Sequence, residues 1–500
     1  MNYPFWDVPH LGSGWVIGLI AIFHVMISHF AVGGGFYLVL AETKARRENR
    51  REWLQVLQKH SQFFLILTGV FGAVTGVGIW FAIGLAHPEA TSALIHNFVF
   101  AWAIEWVFFM VELTTAAVYY YTWDRIPDPL HLKVGWVYAI ASFFTLFIIN
   151  GILTFMLTPG QPWLAVAGTG MESSRFVQAL FNPLFWPSLF LRMLACASLA
   201  GVWALVTCAR IDGVKFPDLK TDLLRWSSRW VIPSFALLPI CFAWYLWNVP
   251  DAQRALMQLG ISTVGAGAFS QLTRTILIIP LSSASVVGVV YLFIWRSPVE
   301  VKMRHAASVV LLALFATASA EYGREMLRKP YVIGQYMFSN GIRAKAVSVL
   351  NTNGYLGASL WTRPLPASAT AAKQRLAKGE AMFRGQCAAC HTRDVYRSMK
   401  RLLGERNREG IGSVLKMLHD YDKDSPYRKY MPPLVGHPDE IEALGDYLVS
   451  LTQKREKSST PQQQVSPILF RAGASIKTSP VPETAGSAES VAPTTAIRPR

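Results

Sequence analysis

The sequence predicts an all-α protein: a polytopic membrane helix bundle of about eight spans, followed by a small C-terminal soluble helical domain. Three observations predict it. Hydrophobic residues make 52% of the 500-residue chain, charged residues only 16%, and mean hydropathy is +0.30. A soluble globular protein carries about a quarter charged residues. The apolar residues are also gathered in long runs, the pattern of a multi-span membrane protein. Near residue 363 the composition then shifts to that of a soluble chain. Five cysteines exclude a disulfide framework, since Cys196, Cys208 and Cys241 lie in apolar runs and Cys387 and Cys390 share one short motif.

Eight apolar stretches are long enough to cross a bilayer of roughly 30 Å, which takes about 20 helical residues. They fall near 15–42, 61–86, 96–123, 134–157, 184–208, 230–249, 272–296 and 304–322. The first is a span and not a cleaved signal, because no basic segment precedes it and it outruns a signal core of roughly 7–15 residues. The net charge of +16 would suit nucleic acid, but its placement points to a membrane. Sixteen Lys and Arg lie in the loops after spans one, three, five and seven, from Lys44 to Arg304. The N-terminus and the other loops hold two, Arg175 and Arg254. By the positive-inside rule the N-terminus is expected outside, and an even span count puts everything after 322 there too. The basic loops then face anionic lipid headgroups, and no nucleic acid is expected.

Residues 1–335 are assigned to the membrane domain and 336–369 to a linker, which ends in the Pro/Ala/Ser-rich run Arg363-Pro364-Leu365-Pro366-Ala367-Ser368-Ala369-Thr370. Residues 370–454 read as the small helical domain. The tail 455–500 is rich in Ser, Thr, Pro, Gln and Ala, and disorder is expected there. There is no internal repeat.

The strongest short motif is Cys387-Ala388-Ala389-Cys390-His391. C-x-x-C-H reads as covalent haem attachment, with two thioethers and the adjacent His as proximal iron ligand. A zinc site would need a second ligand pair at metal spacing, and His419 and His437 do not supply it. Gly379 and Phe383 precede the motif on an amphipathic helix. Tyr430-Met431-Pro432-Pro433 follows it, ahead of a closing helix through Tyr447 and Leu448. The segment resembles the small class I cytochromes c. That resemblance implies one covalent c haem with Met431 as second axial ligand, which raises the potential. Covalent attachment takes place on the outer side of bacterial membranes, in agreement with the loop charges.

Ionisable residues inside the spans are costly and mark candidate sites. Span one carries His24 and His29, span three Glu105 and Glu112, span five Arg192 and span seven Arg274. Span eight ends at Glu321, with Glu325 one turn on, and His96 opens span three. Counted from the outer face, His24 and Glu105 each lie about nine residues in, roughly 14 Å at 1.5 Å per residue. Most of the set is expected in the outer half of the bilayer, with Glu112 and His29 deeper. Each has a bland alternative, a polar group satisfied by a neighbouring helix. Glu105 and Glu321 equally suit Arg192 and Arg274 as partners.

Ile22-Phe23-His24, then Gly33-Gly34-Gly35 and Ala41-Glu42-Thr43, resembles the first span of subunit I of the cytochrome bd quinol oxidases. Ala103-Ile104-Glu105, Glu112 and Trp123-Asp124-Arg125 are similar to that family's third span. Glu321-Tyr322-Gly323-Arg324 resembles its Glu-Tyr-Gly-Arg-Gln-Pro-Trp segment; a register without a gap puts Glu325 in the acidic place and Arg328-Lys329-Pro330-Tyr331 after it. The resemblance covers roughly residues 15–335. It implies b-type haem in the bundle and admits haem d, with His24, Glu105 and Glu321 at the haem site where oxygen is reduced and Glu112 on the proton route. His24 and Glu321 would then be iron ligands.

The departures are as informative. The family's low-spin b haem uses a His and a Met at places that Arg192 and Ile276 occupy here, and neither ligates iron. Residues 250–271 are too short for the family's quinol loop. The final span is replaced by the haem c segment. The leading expectation is a respiratory haem protein of the bacterial inner membrane, working with a second membrane subunit. It would exchange electrons with a periplasmic c-type cytochrome through its own c haem and reduce oxygen. The alternative is a subunit that transfers electrons without chemistry of its own, exchanging with quinone or periplasmic cytochromes. A bare scaffold without membrane haem is the third reading.

Overall fold

The computed structural model describes residues 6, 8–262, 270–359 and 370–458. Among the described residues, eight helices are long and apolar enough to cross a membrane: Ser13–Arg47, Arg51–Ala86, Pro88–Tyr121, Asp128–Phe155, Phe185–Cys208, Pro217–Trp247, Arg274–Trp295 and Met303–Leu327. Each predicted stretch overlaps one of them. The chain is a multi-pass, all-α membrane bundle with little sheet. Its helices outrun the apolar runs because their ends are capped by chemistry that suits a helix terminus. Lys44, Arg46 and Arg47 close the first span, and Pro88 with Glu89 opens the third, each placing charge or a fixed φ where the helix dipole favours it.

The first span is the axle of the bundle, and its glycine triplet is the reason. A Cβ on Gly33 would lie 1.9 Å from the Cys196 carbonyl oxygen, and one on Gly35 2.3 Å from the Tyr138 ring. The absent side chains let the fifth and fourth spans close onto the first. Small residues serve this purpose in membranes, where packing and not water drives helix association. Around this contact lies a core of Phe30, Tyr37, Phe64, Leu199, Val202 and Leu205.

Two irregularities bear on the site. The second span contains a π-helical turn at Leu67–Gly72, a distortion that often accompanies function. The third is kinked at Phe98, whose φ and ψ are −125° and 23°.

Residues beyond the eighth span form a short hairpin, Tyr331–Ile333 with Met337–Phe338, and a helix, Val347–Asn353. The first strand falls at the end of the stretch assigned to the membrane domain, and the second strand and the helix lie in the stretch expected as a linker. Its second part, 360–369, is outside the described residues. Four helices follow, Ala371–Gln386, Met399–Leu403, Arg408–Asp420 and Pro438–Ser458. Thr370 and Asn407 cap the first and third through their side-chain oxygens. The first and last of these helices cross at Gly379, where a Cβ would meet the Ala443 carbonyl oxygen at 2.1 Å. Phe383 and Tyr447 pack at the same crossing, 5.8 Å between ring centres. The hairpin arm is tied to this unit. The Glu440 carboxylate accepts from the backbone of Tyr355 at 2.7 Å and Leu356 at 2.9 Å, and Asn351 accepts from Gly436 at 3.1 Å. The tail expected to be disordered lies, from 459 on, outside the described residues.

Candidate haem site in the bundle and at the end of its eighth span

The first span presents its two histidines to different neighbours. His24 faces the distorted part of the second span: its Nδ1 is 3.1 Å from Thr75 Oγ1, and its ring packs where Gly76 has no side chain. With Nδ1 engaged, Nε2 is the nitrogen left for an iron ligand. His29 sits deeper and is turned to the fifth span. Its Nδ1 donates to the Val25 carbonyl at 2.8 Å, and its Nε2 is 3.4 Å from Arg192 Nη1. That second contact occupies the nitrogen a ligand would need.

The eighth span completes this cluster. Arg324 donates to one Glu321 oxygen through Nε at 3.0 Å and Nη2 at 2.7 Å. Glu321 also lies within electrostatic range of Arg192 and His29. The sequence offered Arg192 or Arg274 as its partner; the close pairing is with Arg324, one turn away, and Arg274 is exposed. Of the two candidate glutamates, Glu321 is turned into the bundle, with a side chain 13% exposed. Glu325, at 43%, pairs with Arg328 near the rim.

The third span carries the remaining carboxylates. Glu112 is buried and accepts from Tyr138, whose O–H is 3.2 Å away and also 2.8 Å from the Ala31 carbonyl. Glu105 stands two turns outward and half-buried, and its carboxylate meets no hydrogen-bonding partner among the described residues. His96 is exposed and turned to its own helix, bonding the Ser92 carbonyl at 2.8 Å. The structure thus brings His29, Arg192, Glu321 and Arg324 together. His24 lies within electrostatic range of His29 without a direct bond to it, and Glu105 within range of Glu112.

One buried polar group escaped sequence reasoning. At the end bearing the basic loops, Glu42 accepts from Tyr119 at 2.5 Å, from His131 Nδ1 at 2.8 Å and from Arg46 Nε at 2.6 Å. His131 Nε2 is also 2.9 Å from the Tyr119 carbonyl. The available signal was an acid at the inner end of span one facing a histidine beyond span three.

The Cys387–His391 segment lies against the C-terminal end of the eighth span. Lys329 Nζ donates to Cys390 Sγ at 3.2 Å. His391 Nδ1 donates to the Arg397 carbonyl at 3.2 Å, again leaving Nε2 for a ligand. Burial holds the imidazole neutral, with its pKa lowered to about 4 despite that carbonyl, and pushes the Cys387 thiol up to about 12. Met431 is placed by backbone contacts, its amide donating to Tyr427 at 2.8 Å and its carbonyl accepting from the Tyr421 hydroxyl at 3.1 Å.

Residues 13–245 match the family described as cytochrome bd terminal oxidase subunit I. This stretch is similar to subunit I of the cytochrome bd oxidases. It holds His24, Glu105, Glu112 and Arg192 on the first, third and fifth spans. Subunit 1 of the cytochrome bd-II ubiquinol oxidase of Escherichia coli is 24% identical over 180 residues, 36% of this chain and 35% of its own. Subunit 1 of the cytochrome bd ubiquinol oxidase of Bacillus subtilis is 25% identical over 166 residues, 33% and 35%. The matches therefore span about a third of these relatives' length. The bd oxidase structure from Geobacillus thermodenitrificans shares the fold, with a TM-score of 0.53 at 15% identity over 64% of this chain and 87% of that one. The likeness of fold thus covers more of the chain than the likeness of sequence.

Proposed function

We propose that the chain is a respiratory oxidoreductase subunit of the cytochrome bd type, with haem held near His24, Glu105 and Glu321, that exchanges electrons through a c-type haem of its own. The carrying observation is the seat of the Cys387–His391 segment on the eighth span, eight residues along the chain from Glu321 to the Lys329 that contacts Cys390. The residues there fit a c haem. Two thiols and a neutral imidazole with a free Nε2 are the donor set it needs, and the tight crossing at Gly379 resembles the helix packing of class I cytochromes c.

When bound, the haems supply one-electron transfer and, at the membrane site, oxygen reduction. The protein's part is orientation and proton supply. Thr75 fixes the His24 ring, Tyr138 holds Glu112, and unpartnered Glu105 suits proton uptake toward the site. With His391, Met431 would be the residue that holds the iron of the c haem. The bundle does not fit the family's low-spin b haem. Arg192 stands in that place and is engaged with His29, which supports electron entry by the c haem. The loop charges support a bacterial inner-membrane orientation with the N-terminus and the c haem segment periplasmic. A second membrane subunit and a periplasmic c-type cytochrome are the partners this reading names.

The Arg192–His29 contact also favours a second reading, a subunit that passes electrons between quinone or cytochromes and a larger complex. A pyridine haemochrome spectrum with iron analysis on the purified chain separates the two. One covalent haem with two extractable ones supports the oxidase reading; one covalent haem alone supports the second; none overturns both. In the oxidase case Glu112→Gln abolishes oxygen uptake while the c haem is still reduced, and unchanged uptake removes Glu112 from the proton route.

A further inference from the structure

Arg397 has a backbone that its side chain does not favour. Its φ is +45°, in the left-handed region where glycine or asparagine is at home and other residues are strained. An arginine kept there indicates that both its carbonyl and its guanidinium have work. The carbonyl accepts from His391 Nδ1 at 3.2 Å. The guanidinium lies over the Tyr396 ring at 5.4 Å, places Nη2 3.1 Å from Met326 Sδ and donates to the Tyr322 hydroxyl. Met326 and Tyr322 belong to the eighth span. Tyr430, the residue before Met431, packs in the same small apolar cluster with Met326, Tyr322 and Leu256. Both arms that would hold the iron of the c haem therefore rest on one spot of the bundle, and Trp15 of the first span adds an edge contact to Tyr396 at 5.7 Å.

We infer that Tyr322 and Met326 form a docking seat for the c haem segment and that Arg397 is the positioning residue linking it to the proximal ligand. The inference rests on the c-type reading of Cys387–His391 and goes beyond it. The segment is seated on the bundle and does not swing on a tether, and its ligand geometry is set partly by the eighth span.

The test uses the full chain, purified with its haem. Arg397→Gly keeps the left-handed backbone and the carbonyl but removes the anchor. Met326→Ala removes the seat from the bundle side without touching charge. Arg397→Lys restores the cation alone. A cation beside the iron disfavours the ferric state, and weakened Met ligation lowers the potential as well. Arg397→Gly and Met326→Ala are therefore both expected to lower the c haem midpoint potential and to weaken the near-infrared Met–iron band. They are also expected to speed amide exchange at Thr392 and Met399 by about tenfold or more. Arg397→Lys is expected to recover only the part of the potential that the charge supplies, while exchange stays fast. A potential and exchange rates within about twofold of the parent in both variants overturn the seat. So does a shift in Arg397→Gly without one in Met326→Ala, which would be a charge effect alone. Absence of covalent haem from the parent chain overturns the functional reading together with this inference, whereas covalent haem with unmoved properties overturns this inference only.

Discussion

Two buried polar groups of the bundle are built on opposite terms. At the end bearing the basic loops, Glu42 is fully buried and receives three donors at 2.5–2.8 Å, each of them itself held in place. At the other end Glu321 and Arg324 pair at 2.7 Å, but Arg192 has contacts of 3.3 and 3.4 Å, and Glu105 has none among the described residues. A closed network is the expected state of buried polarity and acts as structure. An open one keeps donors and acceptors in reserve, which a protein retains where it binds or moves charge. The contrast separates what holds the bundle from what it is for, although both sets look alike as ionisable letters in apolar runs.

The sharpest way to break the comparison is to remove Glu42. Glu42→Ala leaves the Tyr119 hydroxyl, His131 and the Arg46 guanidinium without their acceptor; Arg46 keeps Asp128 as a second partner. Breaking a buried charged pair costs about 3–5 kcal/mol. The expected outcome is a large fall in thermal midpoint of the detergent-purified protein, or no folded protein. A midpoint unchanged from the parent would place Glu42 among the functional groups instead.

The next effect comes from the axle itself. Gly33→Ala puts a methyl where the Cys196 carbonyl stands 1.9 Å away, so the first and fifth spans must part. Overpacking of this kind costs typically about 1–3 kcal/mol. Because His29 and Arg192 lie on these two spans, their contact should open in the same variant. A lowered thermal midpoint together with altered bundle haem absorbance is expected. A midpoint unchanged would mean the helices are not in close contact there.

Glu112 lies between the extremes. Glu112→Gln retains an acceptor for Tyr138, whose hydroxyl also keeps the Ala31 carbonyl. The stability cost is expected near 1 kcal/mol, the net value of one hydrogen bond, read as a small shift in midpoint.

How much of this was legible in the sequence follows from the same contrast. The spans were legible because hydropathy over about 20 residues is a long, redundant signal, and the C-x-x-C-H motif because its chemistry is contiguous. Glu42 with His131 was not, since nothing local says that residues 89 apart face each other. Glu321 was singled out, but its partner was sought on other helices when Arg324 sat one turn away. The fold of residues 331–358 was hidden for a different reason. Short strands and a seven-residue helix carry little periodicity, and what orders them is Glu440 and Asn351 capping across the chain.

The smallest structural effect, and so the finest test of the comparison, is expected at Glu105. Its carboxylate has no partner among the described residues to lose, so Glu105→Gln removes an ionisable group and breaks no bond. Substitutions away from networks and packing fall within about 0.5 kcal/mol, and the thermal midpoint should match the parent's. If the open end of the bundle is the working end, the same variant changes the extractable haem content or the absorbance of the bundle haems. Thermal scans and haem spectra of Glu105→Gln and Glu42→Ala side by side then read in opposite directions. A Glu105→Gln protein that loses stability while keeping its haem spectrum would show that the open end is open only because its partner lies outside this chain.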